Sequence, residues 1–275
     1  MKVALYTRYV EDVLRENLQK LIDILHAHDI STEEFSDALP PGGFDFLFSI
    51  GGDGTLLSAV HMLHDSNVPV VGVNFGHLGF LTTAGIDNME QFVNDIARGA
   101  YSVEERSLLH VNIDGVSSGN VLNEVSVHRD LMGPLLTTDL YVNGEFVSTY
   151  AGDGLIVATP TGSTAYSLSC GGPILTPDCG SFVVTPIAAH TLTLRPIVIS
   201  DKSVITLVTD SRHSFLRICL DFQVLSVPGG TKLELSRAGH TLKLVRMNNQ
   251  NFFSAIHEKL SWGGVPSGMN SGLKK

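Results

Sequence analysis

The stretch LFSIGGDGTLLSA, Leu47 to Ala59, decides how this chain is read. The apolar run Phe44–Ile50 predicts a strand buried on both faces, as in a parallel sheet. It runs into Gly51, Gly52, Asp53, Gly54 and Thr55, and Thr55 to about His64 predicts a helix. Glycines at a strand-to-helix turn let a phosphate approach the backbone. The helix beyond adds unpaired N–H groups and a positive dipole end. Thr55 is expected to cap that helix or to bond a phosphate oxygen. Asp53 is a poor phosphate ligand. A carboxylate there makes sense if it takes a proton from an attacking hydroxyl or helps to hold a metal. The bland alternative is a turn in which Asp53 caps the helix.

Outward from this stretch, the first hundred residues alternate strand and helix. Lys2–Thr7 predicts a short strand and Val68–Phe75 a buried one, and Val10 to about His28 and Asn88 to Gly99 predict helices. This rhythm implies an open, mostly parallel α/β sheet with ligands at the carboxyl ends of its strands. From about Val103 the pattern changes to period-two segments joined by turns. Leu140–Val147 holds Asn-Gly between alternating residues, a strong hairpin signal. The boundary is expected near Tyr101–Ser107. It separates an α/β domain (1–102) from a β-rich, sandwich-like domain (103–252). The amphipathic end NFFSAIHEKLSW predicts a helix packing back on the first domain, followed by a frayed Gly/Ser-rich tail over Gly263–Lys275 (segment 253–275).

The chain has 275 residues, 43% of them hydrophobic and 17% charged, which suits a globular protein and excludes a disordered one. A net charge of −10 argues against a general nucleic-acid binder. Three scattered cysteines give no disulfide framework. The start carries no signal-peptide pattern, and no apolar run approaches the ~18 residues of a membrane span, so no membrane association and a cytoplasmic location are expected. His26 with His28 and His61 with His64 lack a third ligand, and no HExxH occurs, so no metal-ligating set is expected. His190 and Arg195 share what reads as a strand-like piece, with His190 expected to be structural.

Three further stretches carry polar residues where apolar ones are expected. GVNFGHLGF (Gly72–Phe80) is a glycine loop after a strand, with Phe80 either in the core or stacking on a base. VLNEVSVHR sets Asn123 and Glu124 in a strand-like run. The pair suits a ribose, although on these residues alone a solvated edge strand is the favoured reading. At most one of the two faces the core unless the strand bends there. GDGLIVATPTGSTAYS reads as a second strand–loop–helix anion cradle with hydroxyls in place of lysine. The G-x-x-x-x-G-K-[ST] and G-x-G-x-x-G nucleotide motifs are both missing.

With GGDGTLL, GVNFGHLGFL, VLNEVSVHR, GDGLIVATPTGSTAYSLSCGGPIL, HTLTLRPIVIS and HEKLSWG in this order, the chain resembles the NAD kinases over nearly its whole length. The resemblance implies phosphorylation of the adenosine 2′-hydroxyl of NAD by ATP with a divalent metal (Mg²⁺), giving NADP. It implies that Asp53 activates the hydroxyl and that Gly51, Gly52, Gly54 and Thr55 form the donor-phosphate loop. NAD would be held by Asp53, Gly54, Phe80, Asn123, Glu124, Asp153, Thr164, Ala165, Tyr166 and Ser169 in a β-rich NAD-binding domain. Asp153 would lie near the nicotinamide end, often supplied by a neighbouring subunit, in a homodimer or homotetramer. The chain departs from the family pattern at Leu81, where some members have tyrosine, and at Phe222, which replaces a glycine often found in a DGQ turn. The role of Asp221–Gln223 is left open. A lipid kinase and a non-catalytic NAD(P)-binding sensor are the competing readings.

Overall fold

In a computed structural model the described residues are 1–8, 12–63, 67–76, 79–85, 88–130, 133–210, 212, 214–247 and 250–262. The expected helix start at Val10, His64 and the tail Gly263–Lys275 lie outside them. The chain divides into two compact units, one of residues 1–56, 68–104 and 244–275 and one of residues 57–67 and 105–243.

The first unit opens with β1 (Lys2–Thr7), α1 (Asp12–Ala27), β2 (Ser31–Phe35), β3 (Phe46–Ile50) and α2 (Asp53–Leu63). It continues through β4 (Val70–Val73), β5 (Thr82–Ala84) and α3 (Met89–Ala97). The strands run parallel in the order β2-β1-β3-β4, with β5 also on β4. Every residue of β3 and of β4 is buried, which is why both read as continuous apolar runs. Leu21, Ile22 and Leu25 of α1 and Phe92, Val93 and Ile96 of α3 pack with Phe46, Phe48, Val71 and Val73 in one core. The expected helix at Thr55 starts two residues earlier, at Asp53. Strand β2, STEEF, has no counterpart in the sequence reading. It is a polar edge strand bonded only to β1.

The second unit takes in α2 from Leu57 on and is otherwise mostly β. Its strands are β6 (Tyr101–Ile113), which enters from the first unit, β7 (Val116–Val121), β8 (Glu124–His128), β9 (Leu136–Val142), β10 (Glu145–Gly152) and β11 (Gly154–Ala158). A single 3₁₀ turn (Gly162–Thr164) and the short α4 (Tyr166–Ser169) precede β12 (Ser181–Ile187), β13 (Ile197–Ser200), β14 (Ile205–Thr209), β15 (Leu216–Leu220) and β16 (Gln223–Val227). Then β17 (Lys232–Met247) carries the chain back to the first unit, where Leu244 pairs in parallel with Val70 and α5 (Phe252–Leu260) follows. One antiparallel sheet has the order β13-β12-β11-β8-β15-β16. The other has the sequence of neighbours β10-β9-β14-β17. Val125, Val127, Leu155, Val157, Phe182 and Ile218 of the first meet Leu140, Ile205, Leu207, Leu233 and Leu235 of the second in one core, which is a sandwich. The hairpin at Asn143-Gly144 forms with both residues at positive φ (52° and 83°), as a type I′ turn requires.

Two readings need correction. Residues 188–196, with His190 and Arg195, form no strand; His190 is exposed, its amide bonded to the Ala151 carbonyl, and Arg195 donates to the Leu194 carbonyl at 2.8 Å. The hydroxyls after β11 do not face outward as an anion cradle. Thr159, Thr161 and Ser163 are buried, and the Thr159 and Ser163 hydroxyls bond the Leu122 and Pro160 carbonyls at 2.5 and 2.7 Å. This loop lies directly on the backbone before β8. A Cβ on Gly162 would stand 2.2 Å from the Asn123 carbonyl oxygen and 2.5 Å from its carbon. Because those atoms are backbone, Gly162→Ala is expected to destabilise the fold by about 2 kcal/mol or more, read by chemical denaturation. An unchanged midpoint would contradict the packing described.

Candidate active site

In the first unit the GGDGT turn and the loop after β4 leave the sheet side by side, because β3 and β4 are adjacent parallel strands in register through Ile50 and Val73. This is where open α/β sheets bind ligands. Gly51 has φ 146°, and its missing Cβ makes room for the Thr55 hydroxyl, 2.4 Å from where that carbon would be. Thr55 therefore folds back over the turn, while its own N–H bonds the Gly52 carbonyl at 2.9 Å. The Asp53 carboxylate accepts the N–H of Phe80 on one oxygen (2.9 Å) and the N–H of Leu81 on the other (3.1 Å). Gly79 is hydrogen-sized by necessity, since a Cβ there would be 2.0 Å from the carboxylate. Asp53 thus fixes the loop that carries Phe80, and each of its oxygens keeps a lone pair for a further partner. Phe80 is half-buried and Leu81 is a core residue.

The sequence reading missed Arg246. It is buried on β17, donates to the Phe80 carbonyl at 2.7 Å and pairs with Glu104 at 3.2 Å. The Phe80 peptide is therefore held at its N–H by Asp53 and at its C=O by Arg246. A basic residue inside the apolar run LKLV-R-M was the available signal. Asn74, at the end of β4, was also missed; its side-chain oxygen accepts the Gly76 N–H at 3.0 Å.

In the second unit Asn123 and Glu124 sit where the chain bends into β8, so the strand alternation breaks at this pair. The backbone of the bend is satisfied from two sides. The carbonyls of Leu122 and Asn123 accept the hydroxyl and N–H of Thr159 (2.5 and 2.8 Å). The N–H groups of Leu122, Asn123 and Glu124 donate to the Asp221 carboxylate (2.8, 2.8 and 3.0 Å). The Glu124 side chain is different. Its Oε2 is buried and has no hydrogen-bond partner among the described residues. Burial first, and the Asp221 charge second, push the Glu124 carboxyl from 4.5 up to about 8. Burial raises Asp221 from 3.8 to about 6, against the lowering by its three N–H bonds. Burial thus favours the protonated form of both acids, and more strongly that of Glu124, while the three N–H bonds favour the charged form of Asp221.

Around this bend, His128 stacks on the exposed Tyr166 ring (centroids 6.0 Å apart) and bonds the Ser126 hydroxyl at 2.8 Å. Burial lowers the His128 pKa, with Arg217 adding to the effect. The cysteines Cys170, Cys179 and Cys219 are free thiols, and burial raises Cys170 and Cys219. Of the remaining candidates, Thr164 donates to the Thr161 carbonyl, Ala165 is half-buried and Ser169 is exposed. Asp153 forms an ion pair with Arg129 of the same chain at 2.6 Å. Among the described residues no three His, Cys, Asp or Glu side chains are grouped to hold a metal, and no helix is long and apolar enough to cross a membrane.

By comparison with known proteins, the chain falls among the phosphotransferases with an alcohol group as acceptor. Residues 2–101 match the ATP-NAD kinase N-terminal domain and residues 122–247 the ATP-NAD kinase C-terminal domain. The chain belongs to the NAD kinase family. The chain is 35% identical to the NAD kinase of Flavobacterium johnsoniae, over 96% of this chain and 98% of that one. It is 41% identical to that of Porphyromonas gingivalis, over 82% and 78%. Among solved structures, yeast NADH kinase complexed with NADH shares the fold with TM-score 0.88 at 21% identity, over 98% of this chain and 90% of that one. The NAD kinase from Archaeoglobus fulgidus in complex with ATP gives 0.80 at 25%, over 95% and 99%.

Glu124 makes stability depend on pH. Between 4.5 and about 8 the folded state keeps a proton that the unfolded state has released, so stability falls as pH rises through that window. Asp221 acts in the same direction between 3.8 and about 6. Thermal unfolding should show a Tm that declines toward pH 8, and Glu124→Gln should flatten the part above pH 6. A wild-type Tm that climbs over that range would contradict the protonation assigned to Glu124.

Proposed function

We infer that this chain is an NAD kinase, transferring the terminal phosphoryl group of ATP to the 2′-hydroxyl of the adenosine ribose of NAD to give NADP. The observation that carries the acceptor side is the orphaned Glu124 carboxyl beside Asn123. A ribose supplies both donors and acceptors to such a pair, and a buried polar atom without a partner costs about 1–3 kcal/mol until one arrives. Phe80, Thr164, Ala165, Tyr166 and Ser169 line the dinucleotide in this reading, and Asp153 serves its nicotinamide end.

Phosphoryl transfer runs through a loose transition state, so positioning and charge neutralisation dominate. The backbone of Gly51, Gly52 and Gly54, with Thr55, receives the donor phosphates at the N-terminus of α2. Asp53 takes the hydroxyl proton, held in orientation by the Phe80 and Leu81 amides. A divalent ion arriving on ATP fits this donor set, because Mg²⁺ needs only one or two protein carboxylates beside substrate phosphates, and Asp53 is the carboxylate available. When bound, Mg²⁺ neutralises phosphate charge. A cytoplasmic homodimer or homotetramer completes the reading.

Incubation with NAD, ATP and Mg²⁺, read with an NADP-specific dehydrogenase, tests it; absence of NADP would refute it. Asp53→Asn should lower kcat by about 10²-fold or more, the scale of general-base catalysis. It should also loosen the Phe80 loop, since an amide NH₂ would face a backbone N–H. Near-normal turnover in that variant would remove Asp53 from the chemistry.

A further inference from the structure

Asp221 and Phe222 form the turn between β15 and β16, which begins at Gln223, and the reading so far gives this stretch no function. It is nevertheless fastened on two sides. The Asp221 side chain receives three consecutive amides, and its own N–H bonds the Glu124 carbonyl at 3.0 Å, so four hydrogen bonds join it to the bend before β8. Asp221 holds φ 52° to do so, in the left-handed region that disfavours most side chains and that Asp tolerates. On the other side, Gln223 Nε2 donates to His61 Nε2 at 2.7 Å, and the Phe222 ring meets the His61 ring edge-on at 6.0 Å. His61 lies in the part of α2 that belongs to the second unit. Phe222, standing where the family often has glycine, therefore has a partner in this chain.

We propose that Asp221 is a positioning residue for the acceptor substrate: its carboxylate, closed on the amides of Leu122, Asn123 and Glu124, sets the bend that presents Asn123 and Glu124 to the ribose of NAD. The proposal rests on the reading of the chain as an NAD kinase. Its physical content is division of labour. The backbone of the bend is saturated by Thr159 and Asp221, so the two side chains are left to the ligand in a fixed geometry before it binds. A charge-assisted bond to a backbone N–H is roughly twice as strong as a neutral one, and three converge here. Asp221 also faces Glu124 as a like charge, which favours a neutral Glu124. Among the described residues, the Cys219 thiol of β15 and the Cys170 thiol after α4 also interact electrostatically with Glu124.

The test is steady-state kinetics of Asp221→Asn across pH, beside the wild type. An asparagine must turn an NH₂ toward at least one of the three N–H groups, so KM for NAD should rise about tenfold or more, with KM for ATP and kcat changing far less. The basic limb of the kcat/KM profile for NAD, set by Glu124, should also move to lower pH, because the like charge is gone. An unchanged KM for NAD, equal losses for both substrates, or a limb that stays in place would overturn the proposal. A wild type that makes no NADP refutes the functional reading instead. Should Asp221→Asn fail to fold, hydrogen exchange on the unliganded wild type decides. The amides of Leu122, Asn123 and Glu124 are expected to be protected before NAD is added, and free exchange at those amides would overturn the clamp.

Discussion

Each unit depends on one carboxylate that closes on the backbone of a loop. Asp53 receives the amides of Phe80 and Leu81, and Asp221 receives those of Leu122, Asn123 and Glu124. In both cases the loop is too irregular for sheet hydrogen bonding, and its N–H groups would be costly to bury unpaired. The ionised carboxylate is a suitable partner because it accepts several donors at once and donates to none. The side chains that a substrate would meet are thereby held by backbone fixed elsewhere.

The two clamps differ in what else the acid does. Asp53 begins α2, so its oxygens stand at the positive end of a helix and beside the glycine turn. It is at once a structural acceptor for the Phe80 loop and the one carboxylate of that turn. Asp221 has a second acid next to it. Burial raises both carboxyls of this bend, while the N–H bonds to Asp221 work to keep its charge and leave Glu124 the more readily protonated of the two. A protonated Glu124 is able both to donate and to accept a hydrogen bond.

Much of the fold was legible because burial leaves a plain pattern. Strands β1, β3 and β4 are short apolar runs, the stripe of α1 recurs at helical spacing, and Asn143-Gly144 announces its hairpin. Strand β2 was invisible because STEEF is an edge strand with polar side chains, whose identity rests on β1 alone. Asp53, Asn123 and Glu124 were legible as candidates because polar residues interrupt apolar runs. The destination of the hydroxyls in TPTGST was not, since whether a threonine bonds a ligand or the carbonyl of Leu122 depends on a contact 37 residues away. Asp221 and Arg246 stayed hidden for the same reason. Their partners lie 97 or more residues off in sequence.

The central claim is that this chain phosphorylates one particular hydroxyl of NAD. Phosphorus NMR of the product formed from NAD and ATP with Mg²⁺ addresses it directly. The account predicts one new phosphomonoester resonance, coupled to the 2′ position of the adenosine ribose, growing as the γ-phosphate of ATP disappears. Loss of the γ-phosphate to water alone, or a phosphoester at any other position, would contradict it.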